Sequence, residues 1–411
     1  MLNILILCDF GNATGGAERV AIDSAAAFSR AGHQVHFVAA IGPAAQELID
    51  AGVHVHIVGM SELKKKSALQ LVFEGLWSFK AARLTRRLLS QLDPKQTVVH
   101  VHSWQRGLTA SVLRTAIRSA VPTIVTLHEY GLACPNQGFF DYQKMKICKR
   151  RALSPSCLLA HCDTRTYFHK LWRVARVLLQ RAFASVPKEI RHVIYLSDLS
   201  RSVLKPYFGS ETIWHDVRNP IGFEKRPRVC AESNRKFVFV GRVCKEKGIE
   251  LFLQAARECG VQAVVVGDGP ELETSKSRYP EVTYLGWLSS EEIKKQLSEA
   301  RGFVFPSLWY EGLPLAVQEA KSMGVPAIVA NGTAAREIVE DGISGLHFKH
   351  QNYRSLVEAI ARLNSDDELA QQLSIASYDS YWSNPPLLDV HLTRLTQVYM
   401  HMINKPDART C

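Results

Sequence analysis

Two glutamates eight positions apart form the first candidate for a ligand site, because their carboxylates accept hydrogen bonds. Glu311 follows a predicted strand at the position where a ligand would lie. Pro314 opens a predicted helix, and Glu319 falls on this helix about two turns after Glu311. Two acceptors with this spacing are suited to sugar hydroxyl groups at two points of an extended ligand. As isolated residues, two glutamates are more often surface side chains.

A basic turn offers positive charge to a phosphate group. A predicted strand ends at Gly241, and Arg242 and Lys247 stand five positions apart in the turn before a helix. Glycine allows the backbone to approach a ligand closely, and a helix N-terminus presents unpaired N–H groups to an anion. The two cations are therefore suited to neutralise a diphosphate leaving group. The alternative interpretation is a solvated basic turn.

Two weaker signals lie in the first half of the chain. Gly15 and Gly16 follow the first predicted strand and open a helix, whose N–H groups are suited to contact the same diphosphate. His128 follows the predicted strand Pro122–Leu127, at the strand end where open α/β sheets bind ligands. Taken singly, glycine pairs often mark ordinary turns, and a lone histidine is usually structural.

Strands and helices alternate around these residues, a pattern typical of parallel sheets covered on both faces. The strands predicted in the first half are Ile4–Leu7, Gln34–Ala39, Val53–Val58, Thr97–Val101 and Pro122–Leu127. The helices predicted between them are Glu18–Arg30, Leu69–Leu92 and Gly107–Arg118. The strands predicted in the second half are Lys236–Gly241, Val261–Val266, Gly302–Phe305, Pro326–Val329 and Gly345–Phe348. The later predicted helices are Glu291–Glu299, Leu315–Ser322 and Leu387–Met402.

Length and pattern together predict two doubly wound α/β domains. A chain of 411 residues exceeds one compact core and suits two domains of roughly 200 residues. We place the first Rossmann-like domain at residues 1–205, the second at 206–380, and a C-terminal helix and tail at 381–411 that pack back on the first domain. The two sheets would face each other across an inter-domain cleft. Neither half has a Gly-x-Gly-x-x-Gly motif after its first strand, which argues against a dinucleotide enzyme.

Positive charge is concentrated in the first half. The net charge of the chain is +11. Residues 1–196 carry 25 Lys and Arg against 12 Asp and Glu, whereas residues 197–411 carry 25 against 27. No recognised nucleic-acid module accompanies this charge, so nucleic acid is not expected as a partner. An anionic membrane surface or a phosphate-bearing acceptor is the more economical expectation.

The compartment expected from the sequence is the cytoplasm. The N-terminal segment Met1–Cys8 lacks the basic region of a signal peptide, and no apolar run approaches the ~18 residues of a membrane span. The nine cysteines are odd in number and scattered, which fits a reducing compartment.

Taken together and in this order, the motifs resemble glycosyltransferase family 4, the retaining enzymes of GT-B fold. The motifs that carry the resemblance are Gly15–Glu18, His128, Gly241–Gly248, Gly267–Pro270 and Glu311–Glu319. The resemblance extends from residue 2 to about residue 375, and the combination is far more specific than any single motif. It implies an acceptor-binding first domain and a nucleotide-sugar-binding second domain.

The resemblance also implies a role for each residue. Arg242 and Lys247 would bind the donor diphosphate, Glu319 the nucleoside ribose and Glu311 the transferred sugar. Gly16 would contact the diphosphate, and His128 would hydrogen-bond the sugar near the reacting carbon. The implied catalytic residues are His128, Glu311, Arg242 and Lys247. The implied donor-binding residues are Gly15, Gly16, Gly241, Arg242, Lys247, Gly267, Glu311, Gly312, Leu313 and Glu319.

No metal ion is expected to take part in the chemistry. Metal-dependent transferases usually hold Mg²⁺ or Mn²⁺ with an Asp-x-Asp motif, and the chain contains none. Cations and helix N-termini would then stabilise the departing diphosphate. No carboxylate is clearly placed as a covalent nucleophile, so the family's front-face displacement, assisted by the leaving phosphate, is the hypothesis for retention. The donor would be a UDP- or GDP-linked sugar, and the acceptor a glycan or a polyprenyl- or other lipid-linked molecule.

Four cysteines within 29 residues raise the question of a structural zinc ion. They are Cys134, Cys148, Cys157 and Cys162. Their intervals contain no Cys-x-x-Cys pair, the usual signature of zinc ribbons and fingers. Two interpretations stay open, a zinc ion that pins this loop beside His128 and cysteines that are simply reduced.

A second distinctive segment is strongly basic. Residues 144–191 contain twelve Lys and Arg and two acidic residues. Within the segment, apolar residues recur at helical spacing: Phe168, Leu171, Trp172, Ala175, Leu178, Leu179, Ala182 and Phe183. The pattern fits a basic amphipathic helix on an anionic membrane, and the cluster Lys64–Lys66 favours this. The alternative is a domain helix whose apolar stripe lies in the core.

The function predicted from the sequence is sugar transfer in cell-surface polysaccharide or glycolipid synthesis. The expected location is the cytoplasm, either free or peripheral on the cytoplasmic face of the membrane. The alternative enzymes are a nucleotide-sugar epimerase and a phosphorylase on the same fold. The non-enzyme alternative is an inactive transferase that serves as a peripheral membrane assembly partner, but this predicts loss of charged donor residues that are all present.

Overall fold

The computed structural model describes residues 1–59, 75–222 and 224–405. Its strands are β1 Asn3–Phe10, β2 Gln34–Ile41, β3 His54–Ile57, β4 Thr97–Val101, β5 Thr123–Thr126, β6 Phe140–Asp141, β7 Lys146–Ile147, β8 His192–Tyr195, β9 Ile213–Asp216, β10 Lys236–Val240, β11 Gln262–Val266, β12 Thr283–Gly286, β13 Ala300–Phe305, β14 Ala327–Ala330 and β15 Gly345–Phe348. Its α-helices are α1 Gly16–Arg30, α2 Gln46–Asp50, α3 Phe79–Leu89, α4 Thr109–Ile117, α5 Pro155–Leu159, α6 Tyr167–Ala184, α7 Asp198–Leu204, α8 Ile249–Glu258, α9 Leu272–Arg278, α10 Ser290–Ser298, α11 Leu315–Ser322, α12 Tyr353–Ser365, α13 Asp367–Ser383 and α14 Leu388–Asn404. None of these helices is both long and apolar enough to cross a bilayer.

Two parallel sheets form the framework, as the alternating pattern predicted. The first has the strand order β3-β2-β1-β4-β5-β8-β9, and the second has the order β12-β11-β10-β13-β14-β15. Both faces of each sheet are covered by buried apolar side chains, which explains the continuous runs of Val, Ile, Leu and Phe in the central strands. The predicted fold class, two doubly wound domains of GT-B type, is confirmed.

The first sheet extends beyond the predicted end of its domain at residue 205. Strand β9 pairs in parallel with β8, and the register aligns Trp214 with Val193. The strand was not predicted because its sequence, Ile213–Asp216, is short and half polar. The chain therefore passes to the second sheet after residue 216, and the rest of the proposed division stays a prediction.

Of the predicted helix Leu69–Leu92, the described residues contain a helix over Phe79–Leu89. Residues 69–74 lie outside the described residues, and α3 begins only at Phe79. The side chain of Ser78 caps this helix by accepting a hydrogen bond from the backbone N–H of Ala81. A serine cap satisfies one of the free N–H groups of the first turn and so defines where the helix starts.

Helix α14 returns to the first domain and fills part of its core. Leu395, Tyr399 and Met402 belong to a buried cluster with residues of β1, α1 and β2. The hydroxyl of Tyr399 lies 2.6 Å from Nδ1 of His100 in β4, and Nε2 of His391 lies 3.1 Å from Oγ of Ser24 in α1.

His391 makes the stability of this junction dependent on pH. Nδ1 of His391 donates to the carbonyl of Arg218 at 2.8 Å, which leaves Nε2 to accept from Ser24 in the neutral ring. Burial lowers the pKa of His391 to about 4, and the bond to Arg218 opposes this shift. Because the pKa is lower in the folded chain, the unfolded chain binds the proton more readily between pH 6.5 and pH 4. The stabilisation is therefore complete above pH 6.5 and is lost as the pH falls towards 4.

We expect the free energy of unfolding to fall by up to about 2 kcal/mol between pH 6.5 and 5 through this one residue. Denaturant titrations across that range should show a shallower pH dependence for His391→Gln. The exposed His169 supplies the control, and His169→Gln should keep the wild-type slope. Equal slopes for His391→Gln and the wild type would contradict the assignment.

Candidate functional site

Three loops at the carboxyl edge of the second sheet pack together and form one wall of the site. They follow β10, β11 and β13. The N–H of Val243 donates to the carbonyl of Asp268 at 2.9 Å, and the N–H of Leu308 donates to the carbonyl of Glu246 at 2.9 Å. The sequence placed these loops in separate motifs, and the parallel sheet brings them to one edge.

Glycines allow these loops to approach so closely. Gly267 has a φ of +133°, and a Cβ at this position would lie 2.0 Å from the carbonyl oxygen of Gly241. Gly248 has a φ of +73°, and a Cβ there would lie 2.0 Å from the carbonyl oxygen of Pro306. Since no side chain fits at these distances, the glycines at 248 and 267 are required by the packing of the turns.

The centre of this wall is an ion pair between two predicted site residues. Nζ of Lys247 lies 2.7 Å from Oε1 of Glu311. The same oxygen accepts hydrogen bonds from Oγ of Ser307 at 2.6 Å and from the indole N–H of Trp309. Nζ of Lys247 also lies 5.4 Å from the centre of the Trp309 ring. Charge, hydrogen bonds and ring contacts thus hold both side chains in place.

Arg242 contrasts with this partly buried pair. Its side chain is exposed, and no ion pair or side-chain hydrogen bond joins it to another residue in the described part of the chain. The same turn therefore carries two kinds of cation. Lys247 is already paired, whereas Arg242 has no partner among the described residues. Such an arrangement leaves a positive charge available to an incoming anion.

The second wall of the site comes from the first domain. The hydroxyl of Tyr130 donates to the backbone carbonyl of Glu311 at 2.7 Å. A Cβ at Gly312 would lie 3.0 Å from the carbonyl oxygen of His128, so the two backbone segments are nearly in contact there. Glu311 itself has a φ of +59°, a conformation that non-glycine residues seldom adopt and that these contacts hold in place.

The glycine turn of the first domain reaches the same segment. A Cβ at Gly16 would lie 3.3 Å from Cδ1 of Leu315, the first residue of α11. Gly15 precedes α1 in an extended conformation. Leu313 packs against the buried cluster of the first domain. The structure therefore brings Gly16, His128 and the residues 311–315 to one place, although they are far apart in sequence.

His128 belongs to a histidine network that the sequence did not reveal. Its Nε2 lies 3.1 Å from Nδ1 of His102, and the two rings are stacked with centres 5.3 Å apart. Behind them, His100 contacts His102, and its Nε2 lies 2.7 Å from Oγ1 of Thr126. Burial lowers the pKa of His128 to about 3, so the ring is neutral at physiological pH. The pair His100 and His102 at the end of β4 was the available signal.

Further polar residues surround His128, and among them Asp9, Ser103 and Arg106 were not identified from the sequence. The same pocket is lined by Asp9, Glu18, Ser103, Arg106 and Glu129. Asp9 is buried, and its carboxylate accepts from the N–H groups of Arg106 at 2.6 Å and of Gly107 and Leu108 at 2.9 Å.

This buried carboxylate holds the loop after β4 beside the site. Burial raises the pKa of Asp9, and the three backbone hydrogen bonds oppose that rise.

Glu319 lies in the second turn of α11, on the wall formed by the second domain. Its carboxylate makes no hydrogen bond to another described residue. Burial raises the pKa of Glu319 above its ordinary value, and the nearby Lys294 opposes the shift. The structure places Glu319 on the same helix as Leu315 but not in contact with Glu311.

The four cysteines near His128 do not assemble into a metal site. Cys134, Cys157 and Cys162 are buried and Cys148 is partly buried, all as free thiols. Sγ of Cys162 accepts from Nδ2 of Asn136 at 3.1 Å, which takes up one thiol within the loop. No group of three or more His, Cys, Asp or Glu in the described part of the chain is arranged to hold a metal ion. The zinc hypothesis stays a prediction without geometric support.

Comparison with known families identifies both halves of the chain. Residues 15–186 match the family model described as "Glycosyl transferase 4-like domain". Residues 222–380 match the model described as "Glycosyl transferases group 1". The two matches contain all the predicted donor-site residues.

Characterised relatives are similar to parts of the chain. A GDP-mannose-dependent alpha-mannosyltransferase of Corynebacterium glutamicum is 29% identical over 141 residues, 34% of this chain and 34% of the relative. A UDP-Gal:alpha-D-GlcNAc-diphosphoundecaprenol alpha-1,3-galactosyltransferase of Escherichia coli is 26% identical over 293 residues, 67% of this chain and 68% of the relative. The chain thus matches only 34% of the first relative's length.

Solved structures share the whole fold at low identity. Anabaena Alr3699/HepE, crystallised with UDP and glucose, has a TM-score of 0.66 and 16% identity and covers 97% of this chain and 99% of its own. WaaG, a glycosyltransferase involved in lipopolysaccharide biosynthesis, has a TM-score of 0.65 and 11% identity over 96% of this chain and 99% of its own. With matched domains in both halves and this shared architecture, the chain belongs to the family 4-like glycosyltransferases of GT-B fold.

Proposed function

We propose that the protein transfers a hexose from a UDP- or GDP-linked sugar to a glycan or lipid-linked acceptor, with retention of configuration and without a metal ion. The observation that carries the proposal is the Lys247–Glu311 pair, with Arg242 beside it, in contact with the His128 segment across the cleft. This arrangement offers positive charge to a diphosphate and polar atoms to a sugar.

The leaving group determines what the site must supply. When the bond between sugar and phosphate breaks, negative charge develops on the diphosphate and must be stabilised. Arg242 and Lys247 would supply this charge, and Gly16 at the start of α1 would add backbone N–H groups from the other side. Solved relatives with bound UDP support a nucleotide donor.

The environment of Glu311 supports a route without a covalent intermediate at this residue. One of its carboxylate oxygens is engaged by Lys247, Ser307 and Trp309 at once. A carboxylate stabilised by three donors is a weak nucleophile, and it is better suited to orient sugar hydroxyls. The neutral ring of His128 can donate one hydrogen bond to the sugar near the reacting carbon. Front-face displacement, with the leaving phosphate taking the acceptor's proton, is the corresponding mechanism.

The acceptor is proposed from the relatives. One relative transfers galactose to a diphosphoundecaprenol-linked sugar, and another is a putative glycosyltransferase of colanic acid biosynthesis. We therefore expect a role in cell-surface polysaccharide or glycolipid synthesis, in the cytoplasm and at the cytoplasmic face of the membrane. An epimerase or phosphorylase on the same fold would turn over its substrate without a sugar acceptor, and an inactive assembly partner would not cleave UDP- or GDP-sugars at all.

Replacement of either basic residue should abolish turnover and leave the fold intact. We expect Arg242→Ala and Lys247→Ala each to lower kcat/KM by roughly 100-fold or more, because each removes a charge from the departing diphosphate. The measurement is the release of UDP or GDP from a panel of nucleotide sugars, with and without acceptors.

Lys245 provides a matched control in the same turn. It is exposed and only loosely paired with Glu271, at 3.9 Å. Lys245→Ala should retain nearly full activity. Near-normal rates for Arg242→Ala and Lys247→Ala would refute the donor assignment.

Removal of metal ions should leave the reaction unchanged. We expect protein that has been treated with EDTA and desalted to retain its full rate, since protein cations replace the metal in stabilising the diphosphate. Loss of activity that Mg²⁺ or Mn²⁺ restores would contradict the proposal. Metal analysis of the untreated protein would test the zinc hypothesis at the same time, and a zinc content well below one per chain would reject it.

A further inference from the structure

Helix α6 turns its apolar side outward. The apolar residues that recur at helical spacing in the sequence are all at least partly exposed, with Phe168, Leu178 and Phe183 exposed by 80%, 50% and 55%. The side that faces the protein instead consists of Lys170, Val174, Arg176, Val177, Gln180 and Ala184. The interpretation of this stripe as a core-facing surface is therefore wrong.

Hydrogen bonds to buried carbonyl groups fix this orientation. Arg176 donates to the carbonyl of Gln105 at 3.1 Å, and Nε2 of Gln180 donates to the carbonyl of Leu132 at 3.0 Å. Nζ of Lys170 donates to the carbonyls of Cys157 and of Ala160, the latter at 2.6 Å. Rotation of the helix would leave these carbonyl groups buried without donors, which costs more than the exposure of a few apolar side chains.

The stripe continues into an open apolar groove between α3, α4 and α6. The groove has a volume of about 1200 Å³, and Trp77, Phe79, Leu179 and Phe183 contribute to its lining. Phe79 is 79% exposed, and the rings of Trp77 and Phe183 meet edge to face at 6.2 Å. Single exposed apolar residues are ordinary, but a connected apolar surface of this kind marks a site of interaction with a protein, a membrane or a ligand. We call the stripe and the groove together the outer apolar face.

Arginines surround the groove. They are Arg83, Arg86, Arg114 and Arg118. Arg114 donates to the carbonyl of Phe183, and Arg118 lies 3.8 Å from the carboxylate of Glu189. Arg83 and Arg86 have no acidic partner within the described residues. The segment 144–191 carries twelve basic and two acidic residues, but Lys170 and Arg176 face the protein and do not add to this positive surface.

We propose that the outer apolar face docks on the surface of an anionic phospholipid bilayer. The exposed aromatic and aliphatic side chains would enter the boundary between headgroups and acyl chains, and the arginines would bind lipid phosphates. In this geometry, the binding free energy from burial of apolar side chains adds to that from the attraction of cations to anionic lipids. Docking on a second copy is disfavoured, because an interface of two identical faces would bring the same arginines together.

Docking would place the active-site cleft beside the membrane. The carbonyl groups that hold the inner side of α6 belong to Gln105 and Leu132, and both residues line the pocket around His128. The helix that meets the lipid is thus bonded to the loops that form the site. This consequence rests on the proposed transfer to a lipid-linked acceptor, whereas the docking itself does not.

The test is co-sedimentation of the full chain with vesicles of phosphatidylcholine alone or with roughly a third phosphatidylglycerol. We expect strong binding only to the anionic vesicles, weakened by added salt. Phe168→Glu/Leu178→Glu should lower the partition coefficient roughly tenfold or more, because both side chains lose their transfer into lipid and gain negative charge. Arg83→Gln/Arg86→Gln should lower it by roughly tenfold or more at low salt and by much less at high salt.

Ile343→Glu/Ile375→Glu is the matched control, since these side chains are exposed by 51% and 42% on the second domain. It should bind vesicles like the wild type. All variants should unfold at the wild-type temperature and should hydrolyse the nucleotide sugar in solution at the wild-type rate, which separates this test from that of the transferase activity. The proposal fails if the wild type does not bind anionic vesicles, if salt has no effect, or if the control loses as much binding as Phe168→Glu/Leu178→Glu. A dimer in solution that Phe168→Glu/Leu178→Glu dissociates, without vesicle binding, would show that a second copy covers this face.

Discussion

The contact between the Glu311 loop and the His128 segment is the constraint on which the site depends. Each parallel sheet exposes its loops at its carboxyl edge, but neither edge alone encloses a ligand. The hydroxyl of Tyr130 holds the carbonyl of Glu311, and Gly312 allows the backbone to approach His128. The unusual backbone conformation of Glu311 is therefore maintained from the opposite domain.

Other contacts hold the two domains together around this point. The carboxylate of Glu337 in the second domain accepts from the N–H groups of Asp198 and Leu199, at 2.7 and 2.8 Å, at the start of α7 in the first domain. Helix α14 then leaves the second domain and enters the core of the first through Tyr399. The Glu337 carboxylate interacts favourably with the N-terminus of α7, and Tyr399 anchors α14 in the apolar core. Together these contacts hold the two domains on either side of the cleft.

The interior of the first domain contains several buried histidines close to the candidate site. The ring of His102 lies between those of His100 and His128, tilted against the first and stacked on the second, and burial lowers the pKa of each histidine. Neutral rings can exchange hydrogen bonds with Thr126 and Tyr399 without the cost of a buried charge. This group of histidines thus connects α14 to His128, the residue expected to lie near the donor sugar. These side chains therefore both pack the core and lie beside the candidate site.

By itself, the sequence determined the fold class and proposed the loops that form one wall of the candidate site. Apolar strands that alternate with helices imply parallel sheets, because a strand whose residues are nearly all apolar is buried on both faces. Glycines beside charged residues at strand ends identified Gly241–Gly248 and Glu311–Glu319, because turn chemistry is local and visible along the chain. These predictions required no knowledge of distant contacts.

Only the tertiary structure decided which distant residues meet and which way α6 faces. The contacts of Glu311 with Lys247 and Tyr130, the histidine network and the role of β9 depend on pairing between residues far apart in sequence. The amphipathic pattern of α6 showed two unlike sides but not which of them is inside. That choice was made by the buried carbonyls of Gln105 and Leu132, which require hydrogen-bond donors from Arg176 and Gln180. Hydrophobic periodicity cannot report such a requirement, because it records side-chain types and not the unsatisfied backbone groups of neighbouring loops.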